Sequence, residues 1–359
     1  MKPRSKLLSA TRESPLPYRA PRLDAEDREA LNDLYARGTP ENTRRAYERD
    51  LIYLSAWKKM RFADEPALAW PESEDVALRF ILDHSRDLSN DARKAGEVAR
   101  ALIAIGLRKS LACPAPSTLD RRIASWRAFH RMRNLASPFE APLVRQARAK
   151  ARKAAARPPA PKSAHPITRD LLLQLAEAAG PGLRGIRDRA ILLLGWASGG
   201  RRRSEIVSLN RRDIDLETFD ATGVVWIQLP GTKTTDAGST PKLVLKGRAA
   251  RALVAWIDAA EIEKGPLFRR ITRTGALGQK RLSDASVNQI VKRLLETAGI
   301  DRDFASPHGL RSGFLTQAAL AGTPLPAAMR LSLHRSPAQA QKYYDDVDVA
   351  ENPASELLD

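Results

Sequence analysis

Near the end of the chain stands Ser332–Asp346, SLHRSPAQAQKYYDD, in which a histidine, His334, is followed nine positions later by the first of two adjacent tyrosines. Ser336-Pro337 reads as a helix start, because serine can cap and proline is already set for the first helical position. The helix that follows carries both tyrosines on different faces. Ala340, Tyr344 and Val347 fall at i, i+4 and i+7, the spacing of a buried stripe. Tyr344 is thereby explained as core, and Tyr343, about a quarter-turn away, is not. A tyrosine alone is most often packing, so a chemical reading of Tyr343 needs partners elsewhere in the chain.

Composition says what kind of partner to look for. The 359 residues hold 60 Lys+Arg against 42 Asp+Glu, a net charge of +18. Such an excess fits a polyanion, most commonly nucleic acid. One cysteine, Cys113, cannot form an internal disulfide or a thiolate metal site. The basic start, MKPRSKLLSATRESPLP, lacks the continuous apolar stretch of a secretory signal, and no apolar run reaches membrane-spanning length. A cytoplasmic protein that does not enter membrane is therefore expected. Neither a glycine-rich phosphate loop nor paired carboxylates at metal spacing are found, so no cofactor or metal is called for.

The length suits two domains. Residues 1–23, rich in Pro, Ser and charge, are expected to form a flexible arm. From 24 to 157 the pattern is helical: Tyr47, Leu51, Leu54 and Trp57 recur at helical spacing. Further amphipathic runs follow in DVALRFILDHSRDL, KAGEVARALIAIGLRKS and STLDRRIASWRAFHRMRNL. Trp126 and Phe129 are read as packing, and His84, His130 and His165 as structural or linker residues. Residues 158–166 are proline-rich and read as a linker. The part from 167 to 359 is mixed: helices at ITRDLLLQLAEAAG and IRDRAILLLGWASG, two β-rich runs (Val224–Leu229 and Lys242–Leu245) predicted as a hairpin, then helices again. The fold class expected is mainly α with a small antiparallel β-sheet.

A tyrosine attacking a phosphodiester needs its target's charge neutralised, and guanidinium forks do this with directional, bidentate geometry. SGGRRRSEIVSL offers three adjacent arginines ahead of Glu205. SPHGLRSGF puts His308 and Arg311 at i, i+3 on one helical face. Lys233 lies in the turn of the predicted hairpin, and His334 precedes the tyrosine helix.

Taken in order, Arg…Lys…His-x-x-Arg…His…Tyr resembles the tyrosine recombinase, or phage integrase, family. GRRRSEI is similar to its Gly-x-Arg-x-Ser-Glu-Leu box and selects Arg202; PGTKTTDAG resembles its hairpin lysine motif, HGLRSGF its His-x-x-Arg box, and LHRSPAQAQKYY its His-to-Tyr box. NTRRAYERDL and STLDRRIASWRAFHR resemble the family's helical, SAM-like core-binding domain. Two departures stand out. Leu333 replaces the glycine usual before that histidine, a change read as mild repacking. Arg201 and Arg203 flank Arg202, which leaves Arg201 and Arg202 as alternatives for facing the phosphate.

The resemblance implies a site-specific recombinase that cuts and rejoins duplex DNA through a 3′-phosphotyrosyl link, without metal or nucleotide. It implies Tyr343 as nucleophile, Arg202 and Arg311 as the phosphate clamp, and Lys233 as proton donor to the leaving 5′ oxygen. His308 would assist proton transfer at Tyr343, His334 would donate to the phosphate, and Glu205 would orient Arg202 or His308. The helical domain would hold DNA from one side and an α+β catalytic domain from the other, with phosphate contacts expected from Arg44, Arg45, Arg121, Arg122, Lys162, Arg201 and Arg203. A homotetramer on DNA and accessory DNA-bending proteins belong to the same expectation. Two rivals stay open at this point: a relaxing topoisomerase with the same chemistry, and a DNA-binding regulator that has lost it.

Overall fold

A computed structural model describes residues 23–63, 65, 68–156, 163–230, 241–334 and 336–348. Two compact units divide at Pro159/Ala160.

In the first unit the described helices are α1 (Ala25–Gly38), α2 (Glu41–Arg61), α3 (Glu74–Asp83), α4 (Lys94–Ala104), α5 (Pro116–Met132) and α6 (Pro142–Ala154). Local chemistry sets several of their starts. Asp24 accepts from the Asp27 amide at 2.8 Å and Ser73 from the Val76 amide at 3.3 Å, while Pro116 and Pro142 open α5 and α6. The core is aromatic and meets edge to face: Trp57 lies 4.9 Å from Phe80, and Phe80 5.4 Å from Trp126, between ring centroids. Trp126 and Phe129 are buried here, as expected of packing residues. His84 and His130 are structural too, each with Nδ1 against the backbone carbonyl four residues earlier, 2.7 and 2.9 Å away. A buried lysine is paired rather than free: Lys58 donates to both oxygens of Glu72 at 2.8 Å.

The second unit is built on α8 (Leu183–Ala197), whose Ile191, Leu192 and Leu194 are fully buried. α7 (Arg169–Ala178), α11 (Gly247–Ala259) and α13 (His308–Leu320) pack against it. Between them come α9 (Arg203–Ser208), α10 (Phe219–Thr222) and α12 (Asp284–Thr297); α14 (Leu325–Ser332) and α15 (Pro337–Asp348) complete the described helices. β1 (Ile214–Asp215), β2 (Val225–Gln228) and β3 (Lys242–Leu245) form one antiparallel sheet in that order. β2 and β3 are the predicted hairpin, in register Trp226↔Val244 and Ile227↔Leu243, with Val225, Ile227, Leu243 and Leu245 facing the core.

A second antiparallel pair, β4 (Arg269–Ile271) and β5 (Leu277–Arg281), was not visible as apolar alternation because its strands are arginine-rich. Their arginines serve backbone carbonyls. Arg281 donates to Leu209 O at 3.0 Å and, more closely, to Val207 O, binding β5 to the end of α9. α11 also escaped the sequence reading, its Gly-Arg-Ala-Ala-Arg start hiding a stripe of Ala250, Leu253, Trp256 and Ile257.

The segment Ser163–Ile167 enters this unit by lying along α13. Ile167 N donates to Gly309 O at 2.8 Å, Ser306 N to Ser163 Oγ at 2.8 Å, and Trp196 Nε1 to Ile167 O at 2.9 Å. His165 stacks on Phe304 with centroids 4.0 Å apart. The approach requires glycine: a Cβ on Gly313 would stand 1.9 Å from Ile167 O.

Candidate active site

Four elements of the second unit supply the site. α13 is the rigid member. Its first residue, His308, and Arg311, one turn on, share a face, as their spacing predicts. Arg311 is only 4% exposed. Its Nη1 donates to Gly200 O at 3.1 Å and its Nε to His334 Nε2 at 3.2 Å. Burial, with the charges of Arg201 and Arg202 nearby, lowers its pKa to about 10, so it stays a cation at neutral pH.

The turn before α9 is the second member. Gly199 and Gly200 both have positive φ, +97° and +71°, and both touch backbone. A Cβ on Gly200 would lie 2.3 Å from Arg311 Cα, and one on Gly199 2.3 Å from Leu331 O. This close fit carries the three arginines past Arg311, and they part there. Arg202 is the outward one, its side chain 41% exposed, with Nη1 donating to Glu205 Oε1 at 2.6 Å. Arg203 is exposed. Arg201 is 2% exposed and donates from Nη2 to Leu331 O at 2.7 Å.

The expectation that Arg201 touches DNA is thus corrected: its guanidinium is spent inside the unit, where burial brings its pKa down to about 10. Of the two candidates for facing a phosphate, Arg202 is the accessible one. Glu205 holds Arg202 through both the guanidinium and the Arg202 amide (3.2 Å).

The third member is the turn Ser332–His334, at the end of α14. His334 Nε2 faces an arginine donor, so it is the acceptor nitrogen. Nδ1 then carries the proton and donates to Ser332 Oγ at 2.8 Å. Burial, then the charges of Arg311, Arg202 and Arg201, depress the His334 pKa to about 4, and the ring is neutral at physiological pH. Leu333 has φ +53° and ψ 40°, the left-handed region. Its reading as a mild repacking is corrected: a glycine there would be relaxed, whereas leucine carries ~1–2 kcal/mol of backbone strain.

The fourth member is α15. Tyr344 is buried beside Leu315 and Ala328, its hydroxyl donating to Thr323 O at 3.0 Å. Tyr343 packs only partly buried against the same cluster. Its hydroxyl lies 3.5 Å from His308 Nε2, and its ring centroid 6.3 Å from that of His334. Arg311 is within electrostatic range of the Tyr343 oxygen. His308, Arg311 and His334, from separate parts of the chain, therefore gather near one phenol.

The model of the phage integrase family matches residues 166–349. The chain is 32% identical over 322 residues to an integrase/recombinase, a xerD homolog, of Selenomonas ruminantium, covering 88% of this chain and 84% of the relative. The chain belongs to the phage integrase family. It is a site-specific tyrosine recombinase, an enzyme that cleaves and rejoins DNA.

A second relative of this recombinase, a tyrosine recombinase of Synechococcus elongatus, is 30% identical over 326 residues and 89% of each chain. Among solved structures its fold is similar to the Tn1549 transposon integrase in complex with transposon right end DNA (TM-score 0.52, 17% identity, 91% of this chain and 99% of that one). It is similar as well to the XerH recombinase in a post-cleavage complex (TM-score 0.50, 15% identity, 91% and 85%).

Not every expected residue joins the site. Lys233 and Lys162 lie outside the described residues. In the first unit Arg44 and Arg45 are exposed and paired with Glu41 at 2.8 and 3.0 Å. Arg121 pairs with the buried Asp50. Arg122 is turned inward: its guanidinium carbon sits 3.3 Å above the Tyr53 ring, and burial lowers its pKa. Arg122, expected among the DNA contacts, is partly buried in the DNA-free chain, with its charge held by a ring face. Ser332 was missed in the sequence reading; its only signal was a position two before the histidine whose proton it accepts. No described helix is long and apolar enough to cross a membrane.

Proposed function

We propose that Tyr343 attacks the scissile phosphodiester and forms a 3′-phosphotyrosyl link, releasing a 5′-hydroxyl. The observation that carries this reading is the packing of Tyr343 against His308 on α13, one turn from Arg311. The tyrosine proton passes to His308, and the P–O bond to the 5′ oxygen breaks as the P–O bond to tyrosine forms. Lys233 protonates the departing oxygen. Reversal by a 5′-hydroxyl of another strand rejoins the DNA, since the link preserves the phosphodiester's energy.

Arg311 and Arg202 clamp the non-bridging oxygens, where negative charge grows in the transition state. His334 accepts from Arg311 in the DNA-free state, so it can donate to phosphate only after a proton reaches Nε2. An arriving phosphate favours that step, because its charge offsets the arginines that hold His334 neutral. Glu205 keeps Arg202 in place.

The domains 24–157 and 167–359 hold duplex DNA between them, joined by linker 158–166 and preceded by the arm 1–23. Arg44, Arg45, Arg121 and Arg203, with Lys162, contribute phosphate contacts, and binding weakens steeply with salt. Cutting each strand of two duplexes engages four protomers, a homotetramer on DNA, with accessory DNA-bending proteins where the two sites must be brought together. The protein works in the cytoplasm.

The test uses Tyr343→Phe to select tight-binding sequences from a random duplex pool. The selected site, nicked so that the released fragment diffuses away, is then offered to the parental protein. A covalent adduct with the parental chain, absent in Tyr343→Phe despite equal binding, is the expected result. An adduct that survives in Tyr343→Phe, or none from the parental chain on its selected site, refutes the proposal.

A further inference from the structure

Arg201 is a full arginine enclosed in the unit, and phosphate binding does not account for it. Its Nη2 donates to Leu331 O at 2.7 Å and to its own turn at Gly199 O (3.4 Å); its Nη1 stands 3.7 Å from Glu205 Oε2. Its Nε makes no hydrogen bond among the described residues. Burying such a cation is costly unless something is gained by its geometry.

The geometry is specific. Leu331 is the penultimate residue of α14, where the last carbonyls of a helix have no intrahelical donor and carry partial negative charge. Arg201 supplies a donor and a positive charge there from 130 residues away in sequence. The next three residues are the site turn: Ser332, which holds His334 Nδ1; Leu333, in the strained left-handed conformation; and His334, on Arg311. A leucine at that φ persists only where its surroundings hold it. The positive-φ glycines at 199 and 200 bring the arginine turn close enough for the bond to Leu331, with Gly199 against the Leu331 carbonyl itself.

We propose that Arg201 is a positioning residue: its buried guanidinium caps α14, locks the Ser332–His334 turn against the Arg202 turn, and so keeps His334 on Arg311. The proposal rests on the reading of the site given above. In it, Glu205 is shared between the two adjacent arginines, orienting Arg202 for phosphate and neutralising Arg201. The triple arginine then has three jobs: an internal brace, a phosphate ligand and a surface charge.

The test measures adduct formation in a single turnover on the nicked selected site, at saturating DNA, for Arg201→Met, Arg201→Lys and Arg201→Met/Leu333→Gly. Folding is checked by circular dichroism, and rates are taken per DNA-binding molecule. Arg201→Met is expected to cleave roughly 10- to 100-fold more slowly, the scale of a sub-ångström to ångström misplacement. Its DNA affinity and salt slope should match the parental chain, since no phosphate contact is lost.

Leu333→Gly is expected to restore part of the rate in the double variant, because glycine holds the left-handed turn without a brace. With ¹³C-labelled histidine, the His334 signal should move in Arg201→Met while those of His84 and His130 stay. Arg201→Lys, which keeps the charge and loses the fork, reports the same defect more mildly where Arg201→Met does not fold. A parental cleavage rate in both single variants overturns the proposal, as does a lower affinity with a shallower salt slope, which would make Arg201 a DNA contact. Tyr343→Phe separates this from failure of the underlying reading: if it still forms an adduct, the site itself is misassigned, whatever Arg201 does.

Discussion

In the first unit His84 is buried with Nε2 2.6 Å from the Tyr53 hydroxyl, and Arg122 and Arg108 exert their charge on it. In the second, His334 lies beside a tyrosine, with Arg311, Arg202 and Arg201 around it. The chemical groups are nearly the same. Both histidines are held neutral, first by burial and then by arginine charge. The clusters differ in closure. Around His84 both ring nitrogens are engaged, and Arg122 is capped by the Tyr53 ring. Around His334 one arginine projects outward, and among the described residues the Tyr343 hydroxyl makes a long contact to His308. A histidine–tyrosine–arginine cluster is a reactive site only where some of its hydrogen-bonding capacity is left for a substrate.

The contrast can be broken most forcefully at Arg311. Arg311→Lys keeps the charge but gives up the fork to Gly200 O and His334, and adduct formation is expected to fall about 10²- to 10³-fold, the range for loss of one preorganised donor. Single-turnover cleavage with DNA binding measured in parallel checks it. Arg122→Met is the corresponding change in the closed cluster. It should cost about 1–2 kcal/mol in urea unfolding through the lost ring contact, and leave cleavage at saturating DNA within a few-fold. A large loss of cleavage in Arg122→Met would show that the first cluster is not merely structural.

The smallest expected effect is on pH dependence. His84 has a folded pKa well below 6.5, so on unfolding it takes up a proton whenever the pH lies below about 6.5. The stability from its neutral burial is present above that pH and drains as pH falls, by at most ~1.4 kcal/mol per unit. His334 drains in the same direction, levelling off near pH 4. Thermal melting from pH 7 to 5 should therefore show a shallower decline in His84→Gln than in the parental chain. An unchanged slope would mean that burial does not depress the His84 pKa in the folded protein.

Sequence made the site legible wherever periodicity or fixed spacing carried the information. The separation of Tyr343 from Tyr344 followed from i, i+4, i+7 alone, and His308 and Arg311 from i, i+3. The inward turn of Arg201 and Arg122 did not, because an arginine looks the same in sequence whether its guanidinium meets water, a carbonyl or a ring. Leu333 was misjudged for a related reason: the clue was a missing glycine, and glycine marks a backbone angle before it marks a volume. β4–β5 stayed hidden because its side chains serve carbonyls instead of an apolar face.

The chain comes into the catalytic unit beside the helix that bears His308 and Arg311, held there by two backbone–backbone bonds, one bond to the Ser163 hydroxyl, and two glycines with no room for a methyl. A pull at Ser163 would therefore bear on the start of α13, where the proposed chemistry sits. Should His308 and Arg311 act on the phosphate as proposed, the entry of the chain would have a mechanical route to the cleavage chemistry.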